Sequence, residues 1–261
     1  MQMRKTVRNL KVISNLRLND NHHLIQLQSS EPLETIFPGQ FANLLVENSA
    51  IVLLRRPFSI YSVDYKENTV SFFIKIIGEG TRVLANSPVG NFISTMFPLG
   101  NSFTIPNERE KILVVGGGSG VASLMILSQA LCDNSNEVSI LIGARSSTDI
   151  VSLDQFSRYG EVFTTTEDGS SGLKGYVTDH PLLGAQIGRF SRIYTCGPEP
   201  MMKAVAQRAN LNSIVCEVSL ENTMACGFGV CLCCITDTTQ GHKCVCTDGP
   251  VFNINDLKWQ I

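Results

Sequence analysis

Hydrophobic and polar positions change their spacing once along this chain, near Pro106. Ahead of that point the apolar residues fall in short β-rich runs: Leu24 to Gln28, Ala42 to Val46, Pro57 to Val63, Thr69 to Ile77 and Asn91 to Met96. Turn signals divide them at Pro38-Gly39, Lys66-Glu67-Asn68, Gly78-Glu79-Gly80 and Pro88-Val89-Gly90. Many short strands with almost no helix predict a small antiparallel β-barrel. One short helix is expected after Gly80, from Thr81 to Asn86.

Beyond Pro106 the rhythm becomes strand then helix. Lys111 to Val115 is an apolar run of the kind buried in a parallel sheet. A helical stretch follows from Val121 to Leu131, then a strand at Val138 to Ile142. Helices near Ser152 to Arg158 and Tyr176 to Leu183 alternate with strands at Glu161 to Thr165 and Arg192 to Thr195. A helix over Pro198 to Ala209 and a strand at Ile214 to Leu220 complete the alternation, which argues for a doubly wound parallel sheet. The expected division is a barrel domain at 1–105, an α/β domain at 106–219 and a small C-terminal segment at 220–261.

Composition narrows the function classes. Charged residues make up 17% of the chain and the net charge is −2, so nothing draws it to nucleic acid. Met1 to Ile13 mixes Arg4, Lys5, Arg8 and Lys11 among apolar residues and has no apolar signal-peptide core. No run approaches eighteen apolar residues, so no membrane helix is expected. These features predict a soluble cytoplasmic protein, a setting in which clustered cysteines hold metal more often than disulfides.

Six of the nine cysteines lie between Cys226 and Cys246. Cys226-x4-Cys231-x2-Cys234 has the plant-type spacing of a [2Fe–2S] cluster, with Cys246 as the fourth candidate. Cys244 competes with Cys246, and Cys233 with Cys234. Zinc is the rival ion, although structural zinc sites usually show two close CxxC pairs. Gly227 and Gly229 leave room for backbone amides to turn toward sulfur. Upstream, Gly116-Gly117-Gly118-Ser119-Gly120 joins a strand to a helix, where backbone can approach a diphosphate; the run is not a full GxGxxG. Thr195-Cys196-Gly197-Pro198 closes a later strand on the same sheet edge. Arg55-Arg56-Pro57-Phe58-Ser59 in the barrel half offers cations for a diphosphate and a ring for stacking, while Gly78-Glu79-Gly80-Thr81 could aim amides at phosphate. Each of these segments, taken alone, also reads as an ordinary turn or surface strand.

Taken in order, the segments resemble the ferredoxin reductase superfamily. Arg56-Pro57-Phe58-Ser59 is similar to its flavin motif, Gly80-Thr81 to its second flavin-phosphate segment and Pro98-Leu99-Gly100-Asn101 to the turn closing its barrel. Gly116 to Leu124 and Cys196-Gly197-Pro198 are similar to its nicotinamide-nucleotide motifs. The C-terminal Met224-Ala225-Cys226-Gly227-x-Gly229-x-Cys231-x-x-Cys234, ending in Cys246-x-Asp248-Gly249-Pro250-Val251-Phe252, resembles the electron transfer subunits of class 1B dihydroorotate dehydrogenases. That resemblance implies an oxidoreductase subunit carrying FAD and one [2Fe–2S] cluster. It implies relay of electrons from the FMN of a catalytic subunit, through the cluster and FAD, to NAD⁺ in pyrimidine biosynthesis. A heterotetramer with two copies of each subunit is implied, and no catalytic acid or base is expected in this chain. Arg56, Pro57, Phe58, Ser59, Phe73, Ile74, Lys75, Gly80 and Thr81 would hold FAD. Gly116, Gly117, Gly118, Gly120, Cys196, Gly197 and Pro198 would bind the nucleotides, and Cys226, Cys231, Cys234 and Cys246 the iron. Lys75 stands where the family has arginine, so any phosphate contact there would be a point charge instead of a fork. Ser123 replaces a common proline. The competing readings are the flavin subunit of a ferredoxin:NADP oxidoreductase or sulfhydrogenase complex, a stand-alone oxygenase reductase, and a zinc-ribbon regulator on a nucleotide-sensing domain.

Overall fold

The computed structural model describes residues 5–47 and 51–259; Arg4 and the final Gln260 and Ile261 lie outside them. Six antiparallel strands close a barrel: β1 (Thr6–Arg17), β2 (His22–Gln28), β3 (Phe41–Leu44), β4 (Arg56–Asp64), β5 (Thr69–Lys75) and β6 (Phe92–Leu99), hydrogen-bonded in the order β1-β2-β5-β4-β3-β6. Alternation sends Leu10, Val12, Ile25, Leu27, Ile60, Val70, Phe72 and Ile74 inward, where they form one buried cluster. Helix α1 (Glu79–Ala85) closes one end through Leu84 and Ala85.

β1 had no place among the strands expected from sequence, and its own residues explain why. The inward row opens with Thr6 and Arg8, and outward Val7 is exposed, so the apolar alternation is inverted at the start of the strand. Arg8 is accommodated because it donates to Glu34 at 3.0 Å and to the Pro32 carbonyl at 2.7 Å.

The second body is a seven-stranded sheet. β7 (Lys111–Gly117), β8 (Glu137–Ala144), β9 (Glu161–Thr166), β10 (Leu173–Lys174), β11 (Arg192–Cys196) and β12 (Val215–Ser219) run parallel, and β15 (Val251–Asn253) pairs antiparallel with β12; the order is β10-β9-β8-β7-β11-β12-β15. Helix α2 (Val121–Asp133) covers one face together with the short α3 (Leu153–Phe156), and α4 (Glu199–Leu211) covers the other. α2 also packs on the barrel, since Tyr61 and Phe73 share a buried cluster with Val121, Leu124 and Met125. The helix expected from Tyr176 to Leu183 is absent. Two single 3₁₀ turns, Val177–Asp179 and Pro181–Leu183, stand in its place. Pro181 has no N–H for the Val177 carbonyl and forces His180 into extended backbone at ψ 139°.

The C-terminal segment adds a hairpin, β13 (Ile235–Thr238) with β14 (Gly241–Cys244), and returns as β15 to the sheet edge. Among the described residues no helix is long and apolar enough to cross a membrane. Asn101, just past β6, clasps this segment. Its amide donates to the Asp248 and Val251 carbonyls at 2.8 and 3.0 Å, and its carbonyl accepts from the Val251 N–H at 3.0 Å. At about 1 kcal/mol per bond, Asn101→Ala is expected to cost about 2–3 kcal/mol in urea unfolding. Asn101→Asp should recover little of it, because a carboxylate cannot donate to two carbonyls. A variant as stable as the parent would show that the clasp is idle.

Candidate functional site

Two clefts and a thiol-rich loop converge where the barrel, the sheet and the C-terminal segment meet. The first cleft has a volume of about 270 Å³. β4 contributes Arg56, Pro57, Phe58 and Ser59, β5 contributes Phe73 and Lys75, and Thr81 comes from the start of α1. Ser119 and Ala122 face it from the α/β body, and Leu220, Glu221, Asn222 and Pro250 from the C-terminal segment. Seven of the nine residues that the resemblance assigns to FAD therefore line one cavity. The other two do not. Ile74 turns into the barrel core, as period-2 alternation between Phe73 and Lys75 requires. Gly80 lies beneath Arg56, whose Nε would stand 3.0 Å from any added Cβ. The Thr81 hydroxyl is spent on its own turn, accepting from the Ile77 and Gly78 amides at 2.9 and 3.1 Å.

The adjacent arginines have different work. Arg55 staples the barrel rim, donating to the Ser94 carbonyl at 2.6 Å and the Ser94 hydroxyl at 2.9 Å. Arg56 bonds the Leu54 carbonyl at 2.8 Å and faces the cleft. Cations at Arg56 and Lys75 beside the Phe58 and Phe73 rings make a donor set that fits a flat ring carrying a diphosphate. Glu221 also stands in this cleft. It is accessible from the cavity while protein crowds it elsewhere, and that burial pushes its carboxyl up, with Lys75 opposing. A lone acid just beyond a strand gave no sequence signal.

The second cleft has a volume of about 530 Å³ and opens over the carboxyl ends of the parallel strands. Gly117, Gly118, Pro198 and Met201 form one side, Gly143 to Arg145, Asp149 and Glu167 the other, and His22 and Lys75 approach from the barrel. Lys75 lines both clefts, so they share a wall. Gly116 and Gly120 are not exposed to either. A Cβ on Gly120 would stand 2.5 Å from the Cys196 carbonyl and the Gly197 nitrogen, so glycine there lets the two turns pack backbone to backbone. The Cys196 thiol is fully buried, its acidity suppressed by burial, and it lines neither cleft. His22, Asp149, Glu167 and Tyr176 were not singled out from sequence. They come together from four separate segments.

The thiol loop sits beside the first cleft. Cys226 Sγ accepts from the Phe228 and Cys231 amides, both at 3.5 Å, and Cys234 Sγ from the Cys246 amide at 3.4 Å. These bonds link the Cys226 thiol to the Cys231 backbone and the Cys234 thiol to the Cys246 backbone. Among the described residues no three ligand side chains converge on a single-ion position. Four thiols gathered on one loop and hairpin would suit a two-metal centre with thiolate ligands. Burial opposes ionisation of Cys226, but the backbone donors outweigh it and hold the thiol down at about 6. Burial and then Cys234 push Cys246 up to about 12. Cys244 neighbours this group, since its strand partner is Ile235, next to Cys234. Cys233 is exposed. The loop is moored to the barrel by Asn43, which donates to the Cys226 carbonyl at 3.1 Å.

A barrel and a nucleotide-type sheet sharing one cleft wall define a reductase of the ferredoxin reductase type. The comparisons agree. The family profile for the iron–sulfur cluster binding domain of dihydroorotate dehydrogenase B matches residues 221–258, and that for the oxidoreductase NAD-binding domain matches residues 114–207. The dihydroorotate dehydrogenase B (NAD(+)) electron transfer subunit of Fusobacterium nucleatum is 34% identical over 95% of this chain and 96% of its own. That of Shouchella clausii is 33% identical over 98% and 99%. Among solved structures, an NADH-dependent reduced ferredoxin-NADP oxidoreductase superposes with a TM-score of 0.86 at 26% identity, covering 96% of this chain and 90% of that one. The ferredoxin reductase in carbazole 1,9a-dioxygenase shares the fold at a TM-score of 0.69 and 22% identity, over 80% and 67% of the two chains. The chain belongs to the family of dihydroorotate dehydrogenase B (NAD(+)) electron transfer subunits.

Gly227 lies at φ +78°, and a Cβ there would fall on the Asn43 amide nitrogen. Left-handed backbone costs a non-glycine residue about 1–2 kcal/mol. Gly227→Ala is therefore expected to lift the loop from the barrel and raise hydrogen exchange at the Phe228 and Cys231 amides about tenfold. Unchanged exchange would show that the mooring does not position the thiols.

Proposed function

We propose that this chain is the electron-relay subunit of an NAD-dependent dihydroorotate dehydrogenase, with residues 1–105 holding FAD, 106–219 binding NAD(H) and 220–261 holding a [2Fe–2S] cluster. Its partner is an FMN-containing catalytic subunit that oxidises dihydroorotate, in a cytoplasmic heterotetramer of two copies of each. When bound, the cluster supplies one-electron exchange and FAD supplies the conversion between single electrons and a hydride pair for NAD⁺.

The residues divide this work by position. Arg56 and Lys75 would offer positive charge to the FAD diphosphate, the Phe58 and Phe73 rings apolar surface for its flat ring, and Ser59 a hydroxyl beside them. Cys226, Cys231, Cys234 and Cys246 hold the iron, and the Gly227 to Cys231 backbone brings N–H groups to sulfur, one of the levers on cluster potential. Gly117, Gly118 and Pro198 border the nucleotide cleft, Gly120 and Gly197 shape it by packing its two turns together, and Gly116 lets Val121 and Leu124 of α2 close on the strand end. No side chain of this chain needs to exchange a proton with dihydroorotate.

The observation that carries this reading is the mooring of the thiol loop on β3. Phe41 lines the first cleft and Asn43, two residues on, bonds the Cys226 carbonyl. Those two positions lie about 7 Å apart along a strand, which keeps the cluster segment next to the flavin cavity. The outer side of the loop supports a docked partner: Phe228, Val230 and Leu232 are 45, 73 and 58% exposed within five residues, an apolar surface at the point where electrons must enter. The likeness to the NADH-dependent reduced ferredoxin-NADP oxidoreductase favours a second reading, in which the same relay serves another complex.

Protein isolated without oxygen is expected to contain iron and acid-labile sulfide and, after reduction, to give the paramagnetic signal of a [2Fe–2S] centre. Zinc alone would end the relay reading. Cys231→Ser should abolish the signal and Cys233→Ser should keep it; the reverse result would reassign the ligands. Co-purification with an FMN-containing dihydroorotate dehydrogenase separates the first reading from the second.

A further inference from the structure

The nucleotide cleft carries a charge arrangement that the relay itself does not require. β8 ends at Ala144, and Arg145 and the Ser147–Asp149 turn follow directly. In a sheet with a glycine turn after its first strand, the diphosphate of a dinucleotide lies at that turn and the adenosine ribose at the tip of the next strand. An acid there favours a free 2′-hydroxyl and an arginine favours a 2′-phosphate. This tip presents both. Arg145 Nε lies 3.6 Å from Asp149 Oδ2, with the arginine side chain 76% exposed and the aspartate only 23%. The acid is the fixed member. Asn19 of the barrel donates to the Thr148 carbonyl at 2.8 Å, and the Ser147 amide donates to the Ser170 hydroxyl at 2.7 Å, so the turn is held from two sides. Glu167, just past the tip of β9, adds a second carboxylate to the same wall. Two carboxylates and one guanidinium therefore line the cleft at the β8–β9 tips, with Asp149 the one paired to Arg145. The barrel's Lys75 sits at the junction with the first cleft.

We propose that Asp149 selects NAD(H) over NADP(H) by engaging Arg145, which would otherwise meet a 2′-phosphate, while Glu167 reinforces the exclusion. This rests on the reading that the second cleft binds a nicotinamide dinucleotide.

The test uses the purified flavoprotein, comparing parent, Asp149→Asn, Asp149→Asn with Glu167→Gln, and Asp149→Asn with Arg145→Ala. Two quantities are measured: kcat/KM for dye reduction with NADPH relative to NADH, and calorimetric affinity for 2′,5′-ADP relative to 5′-AMP. Asp149→Asn is expected to raise both ratios about tenfold, equivalent to about 1.4 kcal/mol. The Glu167→Gln combination should raise them further, and the Arg145→Ala combination should reverse the gain. Ratios within about twofold of the parent, or a gain that persists without Arg145, would overturn the proposal. A parent protein inactive with both nucleotides would instead remove the functional reading, and the two ADP and AMP affinities would still decide this one.

Discussion

The segment beyond Leu220 is too short to build a core of its own, and the site exists because it borrows one. About forty residues bury too little apolar surface to fold alone. Cys234, Val245, Cys246, Ile254 and Leu257 instead enter the cluster that Met202, Val205 and Ala206 of α4 form against the sheet. β15 extends the sheet, and Asn101 and Asn43 tie the segment to the barrel from two directions. The thiol loop is thus fixed by both larger bodies, and it cannot move relative to one cleft without breaking bonds to the other body.

Environment sorts the cysteines by role. Cys196 and Cys216 are buried among apolar residues, and desolvation suppresses their ionisation. Such thiols behave as small hydrophobes. Cys226 has the opposite surroundings, a turn whose amides point at sulfur and hold it low. The same residue type is packing in one place and a readily ionised thiol in another. The difference comes from backbone N–H groups freed by the turns around Gly227 and Gly229, not from any neighbouring positive side chain.

Much of this was legible in the chain. The strand-to-helix glycine turn, the Arg56-Pro57-Phe58-Ser59 strand and the cysteine spacing are local patterns, and local geometry preserves them. The barrel was readable from its turns, although β1 was hidden by Arg8 in an inward position. The helix expected at Tyr176 to Leu183 fits the strand–helix alternation, but Pro181 in its middle breaks the stretch into two 3₁₀ turns. Ile74 was placed with its neighbours in the flavin segment, yet strict alternation already put it on the other face. What could not be read was convergence. Glu221, His22, Asp149 and Asn43 lie in separate segments, and only the closed barrel packed on the sheet brings Glu221 to the first cleft, His22 and Asp149 to the second, and Asn43 to the Cys226 carbonyl.

Lys75 shows what that convergence does to charge. It follows Ile74 on β5, so alternation turns it out of the barrel and into the wall between the clefts. Its charge acts in both directions. In the first cleft it opposes the burial that pushes Glu221 toward its neutral form. In the second it adds to the burial that holds His22 low, and His22 is also fixed by Asn19 at 2.9 Å and stacked on Phe73 at 5.1 Å. A guanidinium here would fork to one partner in a fixed plane. An ammonium on a flexible stem is a point charge that neither cleft monopolises. Lysine at the shared wall therefore couples the electrostatics of the two cavities while leaving the geometry of each to the backbone turns around it.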